Sequence, residues 1–132
     1  MAKAKKTKKI LIVEDDSAIG DIYSTVLKGS NFDVELINSG RLAIERIREV
    51  KNDRKTKPDI VILDLILPDM NGLEVLREIR KNSTTYDTVV FIFTNQAGVS
   101  LTPDLKVDKF ILKANTTPTQ LLKIIKRELK LI

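Results

Sequence analysis

The sequence predicts an α/β domain in which helices cover both faces of a parallel β-sheet. Three short, wholly apolar runs carry this prediction, and each has the length of a strand: residues 10–13, 60–63 and 89–93. Strands without polar alternation are typical of parallel sheets whose two faces are both buried. Segments with helical periodicity separate the runs, and such alternation of strand and helix requires crossover connections between parallel strands.

The first strand and helix are predicted over residues 10–13 and 17–28. Apolar side chains in the second segment recur every three or four residues, which is the spacing of a helix with one buried face. Asp16 has a side chain suited to the N-cap of this helix, and Gly29 suits the position just after its end. Both boundaries of the helix are therefore marked in the sequence.

The second strand and helix follow directly. Residues 32–37 alternate apolar and polar side chains, which favours a strand near the edge of the sheet. Residues 38–40 form a predicted turn with Ser39 as a possible N-cap, and the apolar residues between 42 and 50 then repeat at helical spacing. A polar and basic connector over 51–58 leads to the next strand.

The third strand is predicted over the apolar run 60–63, at the centre of the sheet. It ends in a single carboxylate, Asp64, and the segment 68–72 is rich in turn-forming residues that lead the chain away from the sheet. Apolar residues over 73–79 then indicate a third helix that ends near Asn82.

The rest of the chain supplies two further strands and a last helix. Residues 89–93 are followed by Thr94, and a shorter strand is predicted over 109–112. A capping box with proline at the first helical position opens the last helix at 117–120.

The segment between the last two strands, residues 95–108, has no clear periodicity. Pro103 could begin a helix with Thr102 as its N-cap, but only one or two turns would fit before the fifth strand. We therefore expect a short or irregular helix at this place.

Composition limits the chemistry available to the chain. Its 132 residues include no cysteine and no histidine, which excludes disulfides, thiolate metal sites and mechanisms that depend on imidazole. Five of the 23 basic residues stand among the first nine, and the other 18 balance the 18 acidic residues. We therefore expect a basic, disordered tail over 1–9 and one domain over 10–132. No segment approaches the roughly 18 apolar residues of a membrane span, and we expect a cytoplasmic protein without membrane contact.

Functional side chains stand at the ends of the strands expected to be central. These residues are Glu14 and Asp15, then Asp64, Thr94 and Lys113. The carboxyl ends of parallel strands meet at one edge of a sheet, where α/β domains bind their ligands. Three carboxylates without histidine or cysteine form an oxygen-only site that suits Mg²⁺ or Mn²⁺. An ammonium group and a hydroxyl beside such a site suit a phosphoryl group. Asp64 is the best candidate for a nucleophile that forms an acyl phosphate, because it stands alone at the end of the central strand.

Four segments carry a family resemblance: ILIVEDD, DIVILDLILPDMNGLEVL, FIFTN and KFILK. Together they resemble the receiver domain of two-component response regulators over residues 10–132. The resemblance implies a flavodoxin-like (βα)5 fold, a three-layer sandwich whose five parallel strands have the order 2-1-3-4-5. It also implies that a sensor histidine kinase or a histidine phosphotransfer protein donates a phosphoryl group to Asp64, and that the domain then signals to a downstream protein.

The same resemblance assigns roles to the residues at the strand ends. Asp15 would bind Mg²⁺ directly and Glu14 would act through water, with Asp64 and the main-chain carbonyl of Ile66 completing the ligands. The other assigned roles are the switch hydroxyl, Thr94, the lysine that pairs with the phosphoryl group, Lys113, and the switch aromatic, Phe110. The domain would catalyse only its own phosphorylation and dephosphorylation, as a monomer or weak dimer without direct contact to nucleic acid.

The sequence departs from the family pattern beside two of these residues. Asn95 stands where a small residue is usual after Thr94, and its side chain could narrow access to Asp64. Ala114 stands where a cis-proline is usual after Lys113, and we expect a trans peptide because a cis bond before a non-proline residue costs about 2.5–4 kcal/mol. The short interval between the fourth and fifth strands puts the usual mode of dimerisation in question.

Three alternative functions are weighed against the receiver interpretation. A pseudo-receiver that binds partners without phosphorylation is motivated by Asn95 and Ala114. A phosphatase of the haloacid dehalogenase type would need a second aspartate at the position of Ile66. In a flavodoxin the first loop must cradle a phosphate, and the acidic residues 14–16 would repel it.

Overall fold

The computed structural model describes residues 7–103 and 105–132. Five parallel strands form one sheet in the order β2-β1-β3-β4-β5. This arrangement confirms the predicted flavodoxin-like α/β fold and its strand order. The strands are β1 (Lys9–Val13), β2 (Asp33–Ile37), β3 (Ile60–Leu63), β4 (Val89–Thr94) and β5 (Lys109–Leu112).

The helices α1, α2 and α4 begin directly after the residues that the sequence marks as N-caps. Asp16 accepts hydrogen bonds from the N–H groups of Ala18 and Ile19, and the Ser39 hydroxyl accepts one from Leu42. A capping box joins Thr117 and Gln120 at the last helix. The helices are α1 (Ser17–Lys28), α2 (Gly40–Arg48), α3 (Gly72–Lys81) and α4 (Pro118–Glu128), with a short 3-10 helix over Lys113–Asn115.

Two apolar cores lie on opposite faces of the sheet and give the fold three layers. Helices α2 and α3 pack on one face through Ile47 and Leu76, while α1 and α4 pack on the other through Leu27 and Ile125. Strands β1 and β3 are buried on both faces because they lie inside the sheet and beneath both helical layers. Their apolar residues therefore show no alternation, as expected for central strands.

The connection between β4 and β5 contains no helix in its described residues, 95–103 and 105–108. One turn occurs there, in which the N–H of Leu105 donates to the carbonyl of Thr102 at 2.9 Å. Among the described residues, the (βα)5 pattern expected from the resemblance is thus realised with four α-helices. The segment is irregular, but residues 95–103 and 105–108 do not show the short helix considered at Pro103.

Arg80 of α3 takes part in holding this connection to the sheet. Its Nε donates to the carbonyl of Lys106 at 2.9 Å, and its Nη1 donates to the carbonyl of Thr88 at 2.7 Å. The carboxylate of Asp108 lies 3.6 Å from Nη2 of Arg80 and accepts the N–H of Val90 at 2.8 Å. A buried arginine thus supplies contacts between α3 and the chain before β5 where a helix was expected.

Most of the predicted basic tail, residues 1–6, lies outside the described residues. Lys9, which we assigned to that tail, instead begins β1 and forms an ion pair of 2.6 Å with Asp33. Within residues 7–103 and 105–132, no helix has both the length and the apolar character required to cross a membrane.

Candidate functional site

The strand ends that bear the candidate residues meet at one edge of the sheet. Val13 of β1 pairs with Leu63 of β3, so the residues that follow both strands leave the sheet at the same level. Leu63 pairs in turn with Ile92 of β4, whose strand continues to Thr94, and Thr94 pairs with Leu112 of β5. The topology therefore brings the predicted acids, hydroxyl and lysine to a common edge.

Glu14, Asp15 and Asp64 form a compact group of carboxylates. One carboxylate oxygen from each residue lies within 4.8 Å of the others. Glu14 is 4% exposed and Asp64 is 6% exposed, whereas Asp15 is open to solvent. Ionised carboxylates this deeply buried require a cation or hydrogen-bond donors nearby.

Lys113 supplies a positive charge to this group. Its Nζ lies 2.5 Å from Oδ2 of Asp64 and also contacts Oε1 of Glu14. The aromatic ring of Phe93 lies beneath the same ammonium group, with 5.9 Å between Nζ and the ring centroid. Lys113 therefore contacts both buried acids, and its role in pairing with a phosphoryl group stays a prediction.

Burial and charge act in opposite directions on the ionisation of the two partners. Burial raises the pKa of Glu14 above its usual value, and the charge of Asp64 adds to the rise, while Lys113 opposes it. Burial also acts to lower the pKa of Lys113, but its hydrogen bonds and charge interactions with Asp64 and Glu14 outweigh this effect and raise the pKa. The ammonium group of Lys113 therefore stays charged at neutral pH. The raised pKa of Glu14 shows that burial in the cluster disfavours the charged form of this carboxylate.

Backbone groups of the surrounding loops orient the carboxylates. The N–H of Ile66 donates to Oδ1 of Asp64 at 3.1 Å, and the N–H of Asp16 donates to Oε2 of Glu14 at 3.2 Å. The loop after Asp64 closes tightly, with a hydrogen bond of 2.7 Å from the N–H of Gly72 to the carbonyl of Leu65. The two N–H contacts orient the carboxylates of Asp64 and Glu14.

Thr94 is fully buried at the end of β4, and its hydroxyl oxygen accepts the N–H of Gln96 at 3.3 Å. Phe110 lies on the edge strand β5 and is 39% exposed. The switch roles of Thr94 and Phe110, and the ligand role of the Ile66 carbonyl, stay predictions.

Sequence reasoning missed the contacts that hold the loop after Lys113. Ala114 donates its N–H to the side chain of Asn95 at 2.9 Å, and Tyr23 donates its hydroxyl proton to the carbonyl of Thr116 at 2.9 Å. The peptide between Lys113 and Ala114 is trans, as expected, since the described residues include no cis peptide bond. The sequence signals Asn95 and Ala114 only as departures from a pattern, and it marks Tyr23 only as part of an amphipathic helix.

The donor set fits a small, hard divalent cation. Glu14, Asp15 and Asp64 offer carboxylate oxygens only, and Lys113 contacts Glu14 and Asp64 but makes no ion pair with Asp15 among the residues described. Such a cluster retains an excess of negative charge at its exposed side, where Mg²⁺ with several bound waters could be held. These residues would be the side-chain ligands of such an ion.

The sequence profile described as the response regulator receiver domain matches residues 10–126. The chain belongs to this family. Receiver domains are generally non-enzymatic signalling modules of two-component systems, and they bind Mg²⁺ in their active site. Members of the family interact with histidine kinases or phosphotransfer proteins.

Individual relatives agree with this assignment. The chain is 34% identical over 105 residues to the DNA-binding response regulator MtrA of Mycolicibacterium paratuberculosis, which corresponds to 80% of this chain and 44% of the relative. The chain thus spans less than half the length of that relative.

Two solved structures share the receiver fold. A CheY-like receiver domain protein of Methanospirillum hungatei superposes with a TM-score of 0.79 at 26% identity, covering 94% of each chain. The phosphorylated cyanobacterial phytochrome response regulator RcpA superposes with a TM-score of 0.75 at 28% identity, covering 92% of this chain and 91% of the other.

Proposed function

We propose that this receiver domain accepts a phosphoryl group on Asp64 with the help of Mg²⁺ and then signals to a partner protein through a change of conformation. The observation that carries the proposal is the convergence of Glu14, Asp15 and Asp64 within 4.8 Å, with Lys113 hydrogen-bonded to the acceptor carboxylate. A sensor histidine kinase or a histidine phosphotransfer protein would be the donor, and the cytoplasm the place of the exchange.

The transfer requires a free carboxylate oxygen on Asp64 and a leaving imidazole on the donor. An oxygen of Asp64 forms a bond to phosphorus while the bond between phosphorus and the partner's histidine nitrogen breaks, and that nitrogen takes up a proton. Glu14, Asp15 and Asp64 would hold the Mg²⁺, which would supply positive charge beside the phosphoryl oxygens. Lys113, already 2.5 Å from Asp64, stabilises the added negative charge, and the hydroxyl of Thr94 can donate a hydrogen bond to it.

The response to phosphorylation is a shift between two conformations. A phosphoryl group on Asp64 favours whichever state lets Thr94 and Lys113 contact it, and the partner protein binds that state. The DNA binding in the name of the mycobacterial relative belongs to a longer protein, of which the match covers 44%, and we propose a protein partner for this domain.

Incubation with Mg²⁺ and acetyl phosphate tests the proposal directly. We expect the intact protein to gain the mass of one phosphoryl group, and the gain to disappear in Asp64→Asn and when Mg²⁺ is chelated. Asp21→Asn is the matched control, since Asp21 is an exposed aspartate on α1. A wild-type protein that neither gains mass nor binds Mg²⁺ would instead favour the pseudo-receiver.

A further inference from the structure

One side chain at the end of β4 forms a hydrogen bond to the loop that contains Lys113. The N–H of Ala114 donates a hydrogen bond of 2.9 Å to Oδ1 of Asn95. Asn95 directly follows Thr94, the last residue of β4, and Ala114 directly follows Lys113. The contact therefore joins the two chain segments that bear the hydroxyl and the ammonium group of the site.

This contact begins where the backbone pairing between β4 and β5 ends. Thr94 and Leu112 are the last pair of the two strands, and Lys113 lies beyond them at the start of the 3-10 helix Lys113–Asn115. The amide of Asn95 thus continues the connection between the strands by one residue beyond the ladder. The hydrogen bond holds Ala114, and the position of Ala114 affects where the ammonium group of the preceding residue, Lys113, lies.

Helix α1 fixes the other side of the same loop. The hydroxyl of Tyr23 donates to the carbonyl of Thr116 at 2.9 Å, and the hydroxyl of Thr116 donates to the carbonyl of Leu112 at 3.1 Å. The loop is therefore held both from β4 and from α1. A side chain on a loop held in this way loses less entropy when it contacts its ligand, which is the advantage of preorganisation.

The identities of residues 95 and 114 depend on each other. Asn95 accepts a backbone N–H, which proline lacks, so the contact requires a residue other than proline at position 114, and Ala114 meets this requirement. The peptide before Ala114 is trans, and the N–H reaches the amide oxygen in that geometry. The two residues that depart from the family pattern, Asn95 and Ala114, are therefore the acceptor and the donor of one hydrogen bond.

We propose that Asn95 is a positioning residue, which holds Lys113 against Asp64 and Glu14 through the N–H of Ala114. This inference deepens the proposed phosphorylation of Asp64 and rests on it for its effect on rate. It also reverses the expectation that the side chain of Asn95 merely obstructs the site. If Asn95 were an obstruction, its truncation would speed phosphorylation, whereas loss of a positioning contact slows it.

Amide hydrogen exchange tests the contact without any phosphorylation. In Asn95→Ala we expect the Ala114 N–H, followed by NMR, to exchange about five-fold faster, which corresponds to one hydrogen bond of average strength. Asn95→Asp keeps an oxygen acceptor and should retain the wild-type exchange rate. Asn115→Ala removes an exposed asparagine from the same 3-10 helix and should also leave the rate unchanged. Equal exchange in wild type and Asn95→Ala would overturn the proposal.

A double-mutant cycle tests whether Asn95 acts through Lys113. With Mg²⁺ and acetyl phosphate, Asn95→Ala should slow phosphorylation about five-fold in the wild-type background and have no further effect in Lys113→Met. A faster reaction in Asn95→Ala, or an equal slowing in both backgrounds, would contradict a role in positioning Lys113. If the wild type is not phosphorylated at all, the proposed function fails, while the exchange experiment still decides whether the contact exists.

Discussion

At the scale of single residues, Glu14 and Asp64 are buried carboxylates, and they require hydrogen-bond donors or positive charge around them. Two carboxylates this close and this buried repel each other, and each needs donors or a cation to remain charged. Lys113 contacts both, and backbone N–H groups of Ile66 and Asp16 supply one hydrogen bond to each. These donors offset part of the repulsion between the two buried carboxylates, and a bound cation would offset more of it.

Gly72 is the residue whose size limits the loop beside Asp64. A Cβ at this position would lie 2.2 Å from the carbonyl oxygen of Asp64 and 2.8 Å from Cα of Leu65, and both are backbone atoms that cannot move aside alone. We expect Gly72→Ala to lower the free energy of unfolding by about 1–3 kcal/mol, as overpacking does, and to slow phosphorylation of Asp64. Urea denaturation and the mass assay measure the two effects.

Gly29→Ala is the control for this substitution. Its Cβ would lie 3.4 Å from the nearest carbonyl oxygens, and Gly29 has φ of −63°, so alanine fits without a shift of the backbone. The free energy of unfolding should change by less than about 0.5 kcal/mol. A similar loss of stability in both variants would show that the close approach at Gly72 has no special consequence.

The sequence was sufficient to find the charged residues of the site but not the contacts that hold them. Glu14, Asp15 and Asp64 could be placed together because strand ends in a parallel sheet share one edge, which follows from topology alone. The bond between Asn95 and Ala114 depends on the path of two loops beyond the strands. Loop geometry of this kind is set by tertiary packing, which hydrophobic periodicity does not encode.

At the scale of elements, the loop between β3 and α3, residues 64–71, forms hydrogen bonds to the start of α2. The carboxylate of Asp69 accepts the N–H groups of Gly40 and Arg41 at 2.8 and 2.9 Å, beside the N-cap Ser39. Met70 packs against Gly40 so closely that a Cβ there would lie 2.3 Å from its Cγ. The loop that follows the candidate acceptor thus helps to cap a neighbouring helix.

This capping contact predicts a dependence of stability on pH. The N–H groups of Arg41 and Gly40 hold the pKa of Asp69 below its usual value, so its contribution to stability is present above the unfolded pKa of about 3.9 and is lost as pH falls through the lower folded value. Asp69→Asn should be less stable than the wild type at neutral pH, and the difference should shrink on acidification below about pH 4. Thermal unfolding across this range measures it, and a constant difference would contradict the assignment.

The sequence predicted the elements well where apolar patterning is strong and poorly where it is absent. Strands β1, β3 and β4 are continuous apolar runs, and their predicted positions differ from the observed ones by at most one residue at either end. The segment before β5 has no such pattern, and Arg80 of α3 helps to hold it through Lys106 and Asp108. A contact between residues so distant in the chain leaves no local signal in the sequence. For this reason no definite structure could be predicted for the segment.

At the scale of the whole molecule, the two apolar cores keep the strand ends close together although the carboxylates at this edge of the sheet repel one another. The cores on both faces fix the strand ends regardless of the charges there, so Glu14, Asp15 and Asp64 are kept close at an electrostatic cost. Lys113 contacts only the two buried members of the group. An added cation that binds the folded state alone would offset the remaining repulsion and stabilise the entire domain.

Mg²⁺ should therefore raise the free energy of unfolding of the wild type by about 1.4 kcal/mol for each tenfold increase in concentration above its dissociation constant. Asp15→Asn should lose most of this response and yet be at least as stable as the wild type without Mg²⁺, because the exposed charge that it removes is repelled by its neighbours. Asp21→Asn should respond to Mg²⁺ as the wild type does, since Asp21 is an exposed residue of α1. Thermal unfolding of the three proteins at increasing Mg²⁺ concentrations makes the comparison. If Asp15→Asn gains as much stability from Mg²⁺ as the wild type, the cation binds elsewhere, and the three carboxylates are not its site.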